Sequence, residues 1–191
     1  PQDSMVRMMK GPKGSKVKLT VNRAGENIPF DIIRDKIPVH CIDAAFMIND
    51  TTAYIKLSKF TRTTYKEFKE AYQNLLSQGM KRLLFDLRDN TGGYFDQSLM
   101  LSNEFLEKGD GIVYMEGLHR PRQDYDADGR GSLKDIAISV LIDEGTASSS
   151  EIFSGAIQDN DRGVIVGRRS FGKGLVQEPI NFTDGSGVRA T

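Results

Sequence analysis

Cysteine is nearly absent from this chain: Cys41 is the only one in 191 residues. A lone thiol excludes an intrachain disulfide and leaves the redox compartment open. Net charge is missing as well. The 26 basic and 26 acidic residues cancel, so no overall field draws the chain to nucleic acid or to an anionic membrane. Neither partner is expected. Long apolar runs are lacking too: the longest, such as Ile136 to Ile142 with Ser139 inside it, fall far short of the ~18 residues that a spanning helix needs. No membrane insertion is expected of this segment. There is no internal repeat, and the opening Pro1-Gln2-Asp3-Ser4 has no signal-peptide character and reads like mid-protein sequence.

What remains is the composition of a globular protein, 38% hydrophobic and 27% charged, and a pattern in two parts. Met5, Val6, Met8 and Met9 suggest a short helix. The turn Lys10 to Gly14 follows, then the alternating strand Lys16 to Val21 and another from Ile28 to Ile33. So few residues bury too little surface to stand alone. Residues 1–36 are therefore read as the remainder of a cut module and 37–191 as a separate core.

In the second part strands and helices alternate, which implies an α/β core with parallel strands. Ala53 to Phe60 reads as a strand, and Thr64-Tyr65-Lys66-Glu67 as a capping box opening a helix that Gly79 stops. The apolar run Leu83 to Leu87 passes through Arg88-Asp89-Asn90-Thr91-Gly92-Gly93 into a helix carrying Leu99, Met100, Phe105 and Leu106. Further strands are expected at Ile112 to Met115, Ile136 to Ile142, Val164 to Gly167 and Leu175 to Pro179, with a helix starting near Ser148. Gly117 to Ser132, rich in Arg, Asp and Gly, reads as a long surface loop.

Two residues carry the chemistry. Ser148 stands three positions before Glu151 and ahead of an apolar helix, which is an ordinary helix cap. The same helix start also supplies free N–H groups and a positive dipole end, both suited to a developing oxyanion. Lys173 lies in Gly167-Arg168-Arg169-Ser170-Phe171-Gly172-Lys173-Gly174, which matches most of a phosphate-binding loop. That reading fails on two counts: Gly174 replaces the magnesium-binding hydroxyl, and Pro179 falls where the following helix should run. Gly92 and Gly93 read as a tight strand-to-helix turn, or as a place where backbone N–H groups approach a substrate carbonyl.

Taken together, the blocks Gly11 to Ser15, Tyr54 to Phe60, Asp86 to Gly93, Glu144 to Ile152 and Gly167 to Gln177 resemble, in this order, the C-terminal processing peptidases, or tail-specific proteases. The resemblance implies a ClpP/crotonase-like core at 37–191 behind the C-terminal half of a PDZ domain at 1–36. It implies a serine endopeptidase that cuts protein substrates with accessible C-termini near those ends, in the bacterial cell envelope, with neither cofactor nor metal.

In the family pattern the nucleophile falls on Ser148, the general base on Lys173 and a supporting glutamine on Gln177. The oxyanion donors are the N–H of Ser149 with that of Gly92 or Gly93. Thr91 stands where the family more often has proline. For Lys173 to act as a base it must lose its proton near neutrality, which calls for a dry, mostly closed site, because free lysine has a pKa of about 10.4. Contact between Gln177 and Lys173 requires a bend at Gly174. The alternative is a non-catalytic peptide- or ligand-binding relative of the same fold.

Overall fold

The computed structural model describes residues 2–35 and 40–191. The expected boundary between 36 and 37 lies outside the described residues. The chain divides into two units, Pro1–Val39 and His40–Thr191.

In the first unit, α1 (Gln2–Met9) precedes a hairpin of β1 (Lys16–Arg23) and β2 (Glu26–Ile33), paired antiparallel from Lys16↔Ile33 to Arg23↔Glu26. Ala24 and Gly25 turn this hairpin with φ of 52° and 88°, the positive values that let a two-residue loop match the strand twist. Arg34 closes the unit from the other end. Its Nε and Nη2 donate to the carbonyls of Met9 and Met8 at 2.8 and 2.9 Å, satisfying acceptors that the end of α1 leaves free.

The second unit begins with β3 (Ile42–Met47) and β4 (Thr52–Leu57), followed by α2 (Thr64–Ser77), β5 (Arg82–Asp86) and α3 (Phe95–Asn103). A ribbon of β6 (Gly111–Gly117) and β7 (Arg120–Asp126) comes next, then β8 (Ala137–Ile142), α4 (Ser149–Asp159) and β9 (Val164–Gly167). A last ribbon pairs β10 (Glu178–Asn181) with β11 (Gly187–Ala190). The central sheet has the order β3-β4-β5-β8-β9. Its last four strands are parallel and β3 is an antiparallel edge, so the α/β reading holds with a mixed sheet.

Ile55, Leu57, Leu83, Phe85 and Val140 are buried in that sheet against Phe68, Phe105 and Phe153. Phe85 packs edge-on to Phe68 and Phe153 with ring centroids 5.4 and 5.1 Å apart, an arrangement worth ~0.5–1.5 kcal/mol per pair beyond the area buried. This core fixes the C-terminal ends of β5 and β8, where the site lies.

Several expectations need correction. Part of the presumed loop from Gly117 to Ser132 is strand β7, whose side chains are almost all exposed. A solvated ribbon needs no apolar alternation, so it left no periodic signal. The expected strand from Leu175 to Pro179 forms only from Glu178 onward, as β10. Phe105 and Leu106 are buried but follow the end of α3 at Asn103. The cap of α2 is Thr63 rather than Thr64, whose hydroxyl instead accepts from the Thr61 N–H at 2.7 Å.

Candidate active site

Two loops leave the C-terminal ends of neighbouring parallel strands and are fastened to each other. The Asp143 carboxylate accepts the N–H groups of Asp89 and Gly145 at 2.9 and 3.0 Å. These bonds hold its pKa below the ordinary value although burial opposes ionisation. Thr146 Oγ1 donates to the Leu87 carbonyl at 2.8 Å. Asn90, fully buried, is the central tie: its Nδ2 donates to the Leu57 carbonyl at 2.8 Å. Its own carbonyl accepts Ala147 N–H at 2.9 Å and Ser150 Oγ at 3.0 Å.

These ties hold Ser148 in a sharp turn between β8 and α4, with φ 57° and ψ −117°. That backbone is sparsely populated by L-residues and costs ~1–3 kcal/mol. A strand-to-helix turn of this kind lifts a side chain off the end of a sheet, where a nucleophile is accessible. Ser148 is half-buried and caps α4, and its N–H donates to Glu151 Oε2 at 2.8 Å.

The glycine pair meets this turn directly. A Cβ on Gly92 would lie 2.6 Å from the Ala147 carbonyl oxygen and 2.9 Å from Ser148 Cβ, and one on Gly93 would collide with the Phe60 carbonyl. Neither position has room for a side chain. Gly92 N–H is already given to Asn90 Oδ1 at 2.9 Å, so of the two expected donors it is the occupied one. The N–H groups of Gly93 and of Ser149, the first residue of α4, have no hydrogen-bond partner among the described residues.

Lys173 approaches from the segment after β9. Arg168 N–H donates to the Ile142 carbonyl at 3.2 Å, and Phe171 N–H to that of Thr146 at 2.9 Å. Glu151 then receives Gly172 N–H on Oε1 at 2.6 Å and Lys173 N–H on Oε2 at 2.8 Å. One carboxylate therefore bonds to the serine turn and to the lysine segment together. Burial disfavours its charge, but the Ser170 side chain and the three backbone N–H groups outweigh burial and hold its pKa below the usual range.

Ser148 and Lys173 line one open cleft of about 500 Å³, with Ile112 and Ile152 among its apolar walls. Lys173 is exposed, where a dry, closed setting was expected, because residues 168–177 form no strand or helix that would cover it. Gln177 is exposed as well, and its Nε2 reaches Thr191 Oγ1 at 3.4 Å. No helix follows Gly174, so no helix N-terminus is available there for phosphates. Among the described residues no group of three or more His, Cys, Asp or Glu has the arrangement to hold a metal.

Asn90, Asp143 and Thr146 were not anticipated as site-building residues. Asn90 and Thr146 carried a signal, as polar residues inside blocks already singled out for their glycines and serines. The wall formed by β6 carried none.

The family model described as peptidase family S41 matches residues 51–191. A "Probable CtpA-like serine protease" of Staphylococcus saprophyticus is 33% identical over 192 residues, covering all of this chain and 39% of the relative. One from Staphylococcus aureus strain N315 is 35% identical over 190 residues, covering 99% and 38%. The chain thus spans less than half the length of these relatives. Among solved structures, the photosystem II D1 C-terminal processing protease superposes with a TM-score of 0.70 at 30% identity, covering 95% of this chain and 50% of that one. With most of the central sheet and the whole of the Ser148 turn inside the matched region, the chain belongs to peptidase family S41.

Proposed function

We propose that this chain carries the catalytic centre of a serine endopeptidase in which Ser148 is the nucleophile and Lys173 the general base. The observation that supports it best is the pairing, in one cleft, of a serine held at positive φ with a lysine whose backbone is clamped to the serine's own helix. Such strain on a non-glycine residue is characteristic of functional sites. Ser148 Oγ attacks the scissile carbonyl as its proton passes to the Lys173 amine. The tetrahedral oxyanion is held by the N–H groups of Gly93 and Ser149, whose directions are fixed before substrate arrives. Lys173 then returns the proton to the leaving amine, and water hydrolyses the acyl-enzyme by the same route in reverse.

The exposed Lys173 needs a drier setting to work as a base, and a polypeptide lying in the cleft provides one by displacing water from around the amine. Gln177 acts, on this reading, only once residues 174–177 bend toward Lys173.

A substrate cut near its C-terminus, a PDZ module to which residues 1–36 contribute, and an extracytoplasmic location complete the proposal. They are supported by resemblance to the C-terminal processing peptidases. Cell fractionation tests the last of these.

In the full-length protein, Ser148→Ala and Lys173→Ala are each expected to abolish cleavage of an unstructured polypeptide while leaving the circular dichroism spectrum unchanged. Wild-type activity in either folded variant would sink the dyad. A wild-type protein that binds such a polypeptide and never cuts it would favour the non-catalytic alternative.

A further inference from the structure

One stripe of a single helix floors the cleft, and its two ends carry opposite polarity. Ser148, Glu151, Ile152, Gly155, Ala156 and Asp159 line the cleft, positions that recur at the three- and four-residue spacing of one helical face. At a rise of about 1.5 Å per residue, Asp159, the last residue of α4, stands ~16 Å along the helix from Ser148. The free N–H groups and the positive end of the dipole lie at the serine. At the other end the last carbonyls and the Asp159 carboxylate are both negative.

The fold gives that carboxylate nothing to do. An acidic residue in the last turn opposes the dipole and weakens the helix. Asp159 is exposed and, among the described residues, has neither an ion-pair partner nor a hydrogen bond to its side chain. The helix end is secured by its neighbour instead: Asn160 Nδ2 donates to the carbonyls of Ala156 and Gly111 at 2.8 and 2.9 Å. Between the two poles the way is clear and apolar. Ile112 and Ile152 wall it, and a Cβ built on Gly155 meets nothing within 4 Å. The aliphatic stem of a lysine or arginine lies well on such a surface while its charge reaches past it.

From these observations we infer that Asp159 is a specificity-determining residue, which selects substrates bearing a lysine or arginine about three to five residues from the scissile bond. The spacing follows from the ~16 Å between Ser148 and Asp159, less the reach of the basic side chain, at about 3.3 Å per extended residue. Asp159 lies to one side of Ser148, so only one side of the scissile bond is read. The inference deepens the peptidase reading and rests on it, adding a preference in charge. Because the chain's own charges cancel, no overall field competes with this local one.

The test uses the full-length protein and a set of unstructured peptides with norleucine at every position near the cut, replaced by lysine at one position at a time. Norleucine keeps the aliphatic stem and removes the charge. In wild type, kcat/KM is expected to rise about fivefold over the parent when lysine falls at the matching position on one side of the cut, the scale of an exposed ion pair. Asp159→Asn is expected to bring that ratio to about one, and Asp159→Lys to turn it in favour of glutamate at the same position. Both variants remove an unfavourable charge from a helix C-terminus, so neither endangers folding. Lysine that never outpaces norleucine, or a preference that persists in Asp159→Asn, would overturn the role of Asp159. The two readings fail separately. Cleavage by wild type without a charge preference removes Asp159 and keeps the peptidase. If wild type cuts none of the set, the peptidase falls, and the same lysine-to-norleucine ratio, read as affinity for Ser148→Ala with and without Asp159→Asn, still decides whether Asp159 selects a cation.

Discussion

Ser148 is set in a turn tied to the core by buried groups, whereas Lys173, in the same cleft, is exposed on a segment fastened through Thr146 and Glu151. On the serine side Asn90, Asp143 and the glycine pair hold the backbone around the proposed oxyanion site. On the lysine side only backbone N–H groups are held, and the side chain is left in water. The contrast teaches that the costly, preorganised half of the site is built with the core, while the half that changes its protonation in the proposed mechanism is attached by a few replaceable bonds.

The comparison breaks most severely at Gly93. Gly93→Ala drives a Cβ into the Phe60 carbonyl, displacing a proposed oxyanion donor, and is expected to lower kcat on a peptide by about 10²–10³ as well as Tm. An unaltered kcat would remove Gly93 from the site. Next comes Asn90→Ala, which leaves the Leu57 carbonyl and Gly92 N–H without partners and is expected to destabilise by about 2–4 kcal/mol in urea unfolding. A loss under about 1 kcal/mol would mean that the serine side is not tied to the core as described.

Glu151→Gln sharpens the comparison, because one carboxylate serves both halves. It is expected to reduce kcat by about tenfold with little change in Tm, and to speed amide exchange at Gly172 and Lys173 but not at Ala147. Equal exchange changes on both sides would contradict the asymmetry. Acid should act in the same way as the substitution. The folded pKa of Glu151 is depressed, so its contribution is complete above the ordinary value of 4.5 and is lost as pH falls through the lower folded one. Exchange at Gly172, corrected for its intrinsic rate, should rise below that pH in wild type and stay flat in Glu151→Gln. The smallest effect is expected from Arg168→Ala. Its pair with Glu144 at 2.6 Å is exposed, and exposed pairs contribute little, so Tm should not move measurably.

The same asymmetry governed what could be read from the sequence. The parallel core was legible because runs such as Leu83 to Leu87 and the apolar face of α2 carry periodic signals, and Gly79 marks its stop with φ 99°. Ribbon β6–β7 was half-legible: β6 buries Ile112, while β7 is solvated and breaks no pattern when it forms. Ser148 and Lys173 were found through short blocks, yet neither the positive φ of the serine nor the occupied N–H of Gly92 is written in those blocks. Asn90 also reaches Leu57 across the sheet, a long-range contact that no local window contains. The exposure of Lys173 escaped for the converse reason: a glycine-flanked turn has the same sequence whether or not something covers it.

The backbone angle at Ser148 has a consequence for how the gene would drift. Glycine adopts φ 57° without penalty, so Ser148→Gly removes both the proposed nucleophile and the strain, and should give a dead protein that melts higher than its parent. Selection for folding alone would push this codon toward glycine, and on the proposed mechanism selection for turnover holds serine there. A glycine at this position in a related sequence would therefore mark a lineage that kept the fold after giving up the reaction.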